Sequence, residues 1–224
     1  MQPYAPQFTR LARLGILLSG RGSNFLAIYR AIEDGRLPGA EIACVLSNKP
    51  DAPGLGAACD LGIPAHFIPA AGRTPAERDL DFIDHLRQAE VDLVCLAGYM
   101  RIVSPAFVAA FPNRILNVHP SLLPSFPGLD AQAQALNFGA KVAGCTVHFV
   151  DEQVDHGVII LQRAVPVEDQ DTPETLAARI LVEEHQAYAE GIRRVLSGEY
   201  EVRGRRYVRR VSSVESGELQ ILAG

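Results

Sequence analysis

Apolar runs of strand length alternate with helix-period segments through the first half of the chain, and this alternation constrains the fold most. LGILL (14–18), IACVL (42–46), AHFIP (65–69) and DLVCLAG (92–98) read as strands. Between them NFLAIYRAIEDG (24–35), PGLGAACDLG (53–62) and ERDLDFIDHLRQAE (77–90) have helical spacing, two of them ending at Gly. Strand–helix alternation requires right-handed crossovers, hence a parallel sheet whose two faces are both covered. ILNVH (115–119) supplies a fifth parallel strand.

The second half changes character. GCTVHFVDEQVDHGVIILQRAVPV (144–167) is two β-rich runs joined by the turn-like DEQVDHG, which predicts an antiparallel pair. A long helix follows from about Pro173 to Leu196, opened by Asp171, Thr172 and Pro173 as cap and first turn. EYEVRGRRYVRR (199–210) reads as a terminal hairpin around Gly204. The expected fold is α/β: a mostly parallel, Rossmann-like twisted sheet with helices on both faces and an antiparallel pair in the C-terminal half. With no repeat or long linker, 1–224 reads as a single domain. Its parts are a phosphate-binding half (1–112), a second half (113–200) and a hairpin with its tail (201–224).

Composition narrows the function. No apolar run approaches the roughly 18 to 20 residues that span a bilayer, and Met1 to Ala12 lack the apolar core of a signal peptide. The latter read as a short polar extension, and the protein is expected in the cytoplasm. Net charge is −5, and RGRRYVRR (203–210) is the one basic cluster, so a nucleic-acid partner is not expected. Cys44, Cys59, Cys95 and Cys145 form no CxxC pair, and three lie in apolar strand-like runs as small hydrophobes.

Ligands of open α/β sheets bind beyond the carboxyl ends of the strands. That rule singles out SGRGSN (19–24), AGYMRIVSP (97–105) and HPSLLP (119–124). In the first, two glycines permit close backbone approach, and a helix N-terminus attracts a phosphate. The pattern is GxGxxF, and the second strand ends in LSNK without the acidic residue of a dinucleotide site, so a small phosphate is favoured over NAD. A purely structural turn is the alternative. In the second segment Tyr99, Met100 and Ile102 could line a slot for a flat ligand or simply pack on the next helix.

Asn117 and His119 share one face because side chains alternate along a strand. VDEQVDHG (150–157) adds a cluster of carboxylates. An amide, an imidazole and a carboxylate can together donate to an oxyanion, move a proton and orient the imidazole. A strand-end His and a surface acidic turn are the plain alternative. No GxSxG elbow marks a nucleophile, and no HExxH or short-spaced pair marks a metal site, so neither is expected. His148 reads as packed within its strand and able to hydrogen-bond near the site.

Taken together, SGRGSN, SNKPDAPGL, LAGYMRIVSPAF, ILNVHPSLLPSFPG, GCTVHFVDEQVD and the EEH of the last helix resemble the folate-dependent formyltransferases, in that family's order from about Leu14 to Tyr188. The resemblance implies the formyltransferase fold, with 10-formyltetrahydrofolate as co-substrate and no metal. It further implies glycinamide ribonucleotide as acceptor and a monomer or homodimer, without nucleic-acid or membrane partners. By the same resemblance Asn117, His119 and Asp155 match the catalytic residues, Gly22, Ser23 and Asn24 the phosphate loop, and Glu184 a carboxylate that contacts the ribose. Met100, Arg101, Ile102, Val103, Asn117, Val150, Asp151 and Asp155 match the folate-binding set.

Two departures stand out. His156 follows Asp155 where the family often has a small residue, and reads as a rim residue able to perturb Asp155. Pro75 occupies roughly the place of an Arg near the folate tail, with Arg73 or Arg78 as substitutes. Among relatives, a methionyl-tRNA formyltransferase would be longer and carry a basic tRNA-binding domain. Formyltetrahydrofolate hydrolase remains the enzymatic alternative, and a noncatalytic nucleotide-phosphate-binding module the non-enzymatic one.

Overall fold

The computed structural model describes residues 10–69 and 72–210. In chain order the elements are β1 (Ala12–Leu18), α1 (Ser23–Glu33), β2 (Ala40–Ser47), α2 (Pro53–Asp60), β3 (Ala65–Phe67), α3 (Pro75–Gln88), β4 (Leu93–Leu96), α4 (Pro105–Ala110) and β5 (Ile115–His119). There follow α5 (Ala131–Phe138), β6 (Val142–Phe149), β7 (Ile159–Pro166), α6 (Pro173–Leu196), β8 (Tyr200–Arg203) and β9 (Arg206–Arg209).

Seven strands form one sheet in the order β3-β2-β1-β4-β5-β6-β7, and β8 and β9 pair separately. The first five strands are mutually parallel, whereas β6 runs antiparallel to both β5 and β7. Period-two alternation feeds two apolar cores, one on each face. Leu14, Ile16, Leu18, Cys95, Leu116 and Val118 face one side with α1 and α6. Leu17, Val94, Leu96 and Ile115 face the other with Phe82 and Leu86 of α3 and Phe107 of α4. The β-rich runs, the long helix and the terminal hairpin all lie where the sequence places them.

Two boundaries move. The polar extension ends earlier than Ala12, because Ala12 is buried and already pairs with Ala40 in the β1–β2 register. Arg13 tolerates a strand position by turning its guanidinium to the carbonyl of Ala89 and to Glu41. Residues 1–9 and 211–224 of the expected extension and tail lie outside the described residues. The segment after the proline-rich run also holds α5, ended by Gly139 in a left-handed conformation.

The chain winds from β1 outward to β3, then returns to β4 on the other side of β1. Loops after β1 and β4 therefore part in opposite directions and leave a crevice at the carboxyl end of the sheet. Tyr188 of α6 pins the adjoining strands, its buried hydroxyl donating to the carbonyls of Leu96 and Leu116 at 3.1 and 3.0 Å.

Candidate active site

Side chains at Ile115, Asn117 and His119 alternate onto one face of β5. Ile115 is packed among Phe107, Phe111 and the rest of that core. Toward the carboxyl end of the strand the same face carries the amide and the imidazole. Nδ1 of His119 lies 3.3 Å from Oδ2 of Asp155, and its Nε2 lies 3.0 Å from the carbonyl oxygen of Phe126. That carbonyl must accept, so the Nε2 hydrogen is committed to it and Nδ1 is the ring nitrogen facing the carboxylate. The sequence places Asn117 and His119 together, and the fold brings Asp155 to them across the β6–β7 turn.

Asp155 adopts a left-handed backbone conformation with φ 50°. Its Oδ2 also accepts the N–H of Gly128 at 2.8 Å, linking the acidic turn to the end of the proline-rich run. That run is held from below. Thr146 donates to the carbonyl of Ser121 at 2.6 Å and accepts the N–H of Leu123 at 3.0 Å, while Gln162 donates to Leu123 and Thr146.

His148 does more than pack in its strand. The register of β6 against β7 shifts between Val147 and His148, an irregularity of the kind that re-aims a side chain. Its Nδ1 lies 2.8 Å from the carbonyl of Phe149, so that nitrogen carries the hydrogen, and Nε2 accepts from Nδ2 of Asn117 at 3.2 Å. Burial is the main cause that holds its pKa below the usual histidine value, favouring the neutral ring that can accept. Oδ1 of Asp155 lies 3.7 Å from the same Nε2. Asn117 and His148 stand directly opposite in the β5–β6 register, which supplies the hydrogen bond that the sequence left open for His148.

The phosphate-loop candidates form a second group. Gly22 ends the loop at φ 75°, and no side chain caps the helix that follows, so the first N–H groups of α1 face outward. Nδ2 of Asn24 donates to Oε2 of Glu184 at 2.8 Å. Asn24 and Glu184 are both buried, and Oδ1 of Asn24 has no hydrogen-bond partner among the described residues. Burial raises the Glu184 carboxyl from its ordinary range, an effect partly opposed by the Asn24 bond. A buried amide oxygen without a donor calls for one from a ligand.

Ser19, which the sequence reading passed over, ties the two sides of the crevice. Its hydroxyl donates to Oδ1 of Asn48 at 2.6 Å and accepts the N–H of Met100 at 2.9 Å. Met100 and Ile102 are 66% and 70% exposed, large apolar side chains that face largely outward. Arg101 is exposed beside them, whereas Val103 is buried in the α3–α4 core and presents only backbone. Val150 packs against that same core. Asp151 is engaged within the turn, its Oδ1 accepting the N–H of Gln153 at 2.9 Å and Oδ2 facing Nδ1 of His156 at 2.9 Å.

The two departures resolve differently from expectation. His156 is indeed on the rim, but its ring engages Asp151 rather than Asp155. Arg78 does not reach outward: it is 4% exposed and pairs with Asp79, which accepts the N–H of Ser104 at 2.6 Å. Arg73 pairs with Asp81. Burial pushes the thiols of Cys44, Cys95 and Cys145 up to about 11, 12 and 12, which suits packing and not nucleophilic attack.

The formyl transferase family model matches residues 12–192. The trifunctional purine biosynthetic protein adenosine-3 of Drosophila pseudoobscura pseudoobscura is 44% identical over 205 residues, which is 91% of this chain and 14% of that protein. This chain therefore spans about one seventh of that relative's length. Phosphoribosylglycinamide formyltransferase of Haemophilus influenzae is 43% identical over 80% of this chain and 84% of its own. Among solved structures, glycinamide ribonucleotide transformylase 1 from Symbiobacterium toebii superposes with a TM-score of 0.87 at 50% identity, covering 92% of this chain and 96% of that one.

Proposed function

The chain belongs to the formyl transferase family, and on that premise we propose that it formylates the amine of glycinamide ribonucleotide with 10-formyltetrahydrofolate, a step of purine biosynthesis. The observation that supports this reading is the meeting of His119 and His148 with Asp155, and of Asn117 with His148, at the carboxyl end of β5, on the same edge of the sheet as the loop after β1. A noncatalytic nucleotide-binding module would need the loop alone.

In this reading the 5′-phosphate sits on the free N–H groups after Gly22, at Ser23 and Asn24, where the helix dipole favours an anion. The ribose hydroxyls meet Glu184, and the unpartnered Oδ1 of Asn24 takes a donor from the same ligand. The pterin lies between the 100–103 segment and the 150–155 turn, its flat faces covering Met100 and Ile102. Backbone groups of Arg101, Val103, Val150 and Asp151 complete that slot.

The neutral amine attacks the formyl carbon, forming a C–N bond and turning the carbonyl into an oxyanion. The Asn117 amide and the His119 imidazolium stabilise that charge, and Asp155 balances the imidazolium. Collapse breaks the bond between the formyl carbon and N10 of the folate. The proton lost by the amine passes through Asp155 and water to N10, giving formylglycinamide ribonucleotide and tetrahydrofolate. No covalent enzyme intermediate is needed. Donors fixed before reaction, as Asn117 is by His148, stabilise charge without reorganising.

The direct test mixes the purified chain with both substrates and follows the folate absorbance. Formyl transfer that requires the amine supports the assignment. Hydrolysis of 10-formyltetrahydrofolate at the same rate without glycinamide ribonucleotide would instead identify a formyltetrahydrofolate hydrolase.

A further inference from the structure

We propose that Arg205 is a positioning residue for formyl transfer: from the tip of the β8–β9 hairpin it fixes, through His156 and Asp151, the turn that carries Asp155. The inference rests on the role assigned to Asp155 above.

The turn between β6 and β7 is constrained at several points. Asp155 occupies a left-handed conformation that a non-glycine residue holds only when its surroundings impose it. Two residues later a Cβ on Gly157 would lie 1.8 Å from the carbonyl oxygen of Phe149, so the chain passes there in contact with its own strand. His156 stands between these two positions and is the point at which the hairpin takes hold. Arg205 donates through Nη2 to the His156 carbonyl, and its Nη1 lies 3.2 Å from Nε2 of the His156 ring.

A guanidinium has only donors to offer, so Nε2 of His156 accepts and Nδ1 carries the hydrogen that reaches Asp151 at 2.9 Å. The bonds thus run in one direction, from Arg205 to His156 to Asp151, and Asp151 in turn holds the N–H of Gln153. Both flanks of Asp155 are thereby fixed, His156 by Arg205 from outside the turn and Gln153 by Asp151 within it.

The hairpin is itself anchored. Tyr207 meets Phe149, the last residue of β6, edge to face at 5.6 Å, and its hydroxyl donates to the carbonyl of Arg194 at 3.3 Å. Tyr200 stacks on Tyr207 at 5.2 Å. The same hairpin therefore braces the start of the turn through Tyr207 and its end through Arg205. Because Arg205 and His156 are exposed, their contact contributes little to global stability. Its consequence is local geometry, and small displacements of a reacting group are costly to turnover.

The test compares Arg205→Ala, Arg205→Lys and Arg203→Ala, the last removing a hairpin charge that pairs with Glu201 and not with the turn. Arg205→Ala is expected to keep its Tm, lower kcat/KM for 10-formyltetrahydrofolate by about tenfold, and recover on addition of guanidinium ion. Arg205→Lys should resemble it, since one ammonium cannot hold the ring and the carbonyl together. Arg203→Ala should match the unaltered chain. Amide hydrogen exchange across 152–158 should quicken in Arg205→Ala without any substrate present. Unchanged kinetics and exchange in Arg205→Ala, or an equal loss in Arg203→Ala, would overturn the proposal. If the unaltered chain transfers no formyl group, the functional reading fails, and the exchange measurement still decides the strap.

Discussion

Oδ2 of Asp155 stands 3.3 Å from Nδ1 of His119 while accepting the N–H of Gly128, so one carboxylate oxygen joins the imidazole to the proline-rich run. Asp155→Asn keeps the shape but removes the charge. We expect kcat to fall by about 10²- to 10³-fold, and by a similar amount in His119→Ala. The double variant should be little worse than either, because the two act as a unit. Single-turnover rates with circular dichroism as the folding control decide it. Losses that multiply would mean independent roles.

His148 should charge at lower pH than an ordinary histidine. Its folded pKa is depressed by burial, so the stability it contributes is present above its unfolded value of about 6.5 and is lost as pH falls through the folded pKa. A ring NMR titration should therefore give a midpoint below that of an ordinary histidine, with the neutral Nδ1–H tautomer above it. A midpoint at or above the ordinary one would break the assignment of the Asn117 bond. His148→Phe removes the acceptor and should lower kcat by about tenfold, about the worth of one hydrogen bond in orienting the amide.

Glu184 pits recognition against stability. Its raised carboxyl pKa means its stabilising contribution is full below the unfolded value of about 4.3 and fades as pH rises through the folded pKa. Glutamine cannot ionise, so Glu184→Gln should gain on the parent as pH rises, with a higher Tm at pH 8 and little difference near pH 4. KM for glycinamide ribonucleotide should rise by about tenfold or more as the charged acceptor is lost. A Tm gap independent of pH would remove ionisation from the account.

Gly157→Ala should damage the turn rather than the core. The added methyl meets a backbone oxygen, which cannot rotate away, so the segment must shift. We expect about 1 to 3 kcal/mol lower stability together with a fall in kcat larger than that of a surface substitution. Urea unfolding and steady-state kinetics on one preparation check both.

The central strands were legible because their apolar runs are buried on both faces and bounded by polar or glycine positions, as in DLVCLAG. The long helix was legible from its cap, and Thr172 accepts from Thr175 as expected of one. Short helices were harder. α5 has five alanine or glutamine positions in eight residues and little apolar contrast to mark a period. At the site, Asn117 and His119 follow from strand alternation, whereas Asp155 required the family resemblance. The bond of His148 depends on the β5–β6 register that sets it opposite Asn117, and those of Ser19 and Arg205 on a loop crossing and a hairpin dock, none of which leaves a local pattern. The sequence left open which arginine stands near the folate tail, and in the fold Arg78 is buried with Asp79 as its counter-charge while Arg73 pairs with Asp81.

Asn24 and Glu184 are 160 residues apart in sequence and 2.8 Å apart in space. Chains are made from the amino end, and contacts of such separation are among the last to form. The phosphate loop and its helix can fold early, yet they lack the carboxylate until α6 docks on α1. On the proposed reading acceptor recognition is thus a property of the finished molecule, and bound nucleotide would stabilise only that state. Substrate in the cell would act as a late check on folding, retaining completed molecules and giving no shelter to incomplete ones.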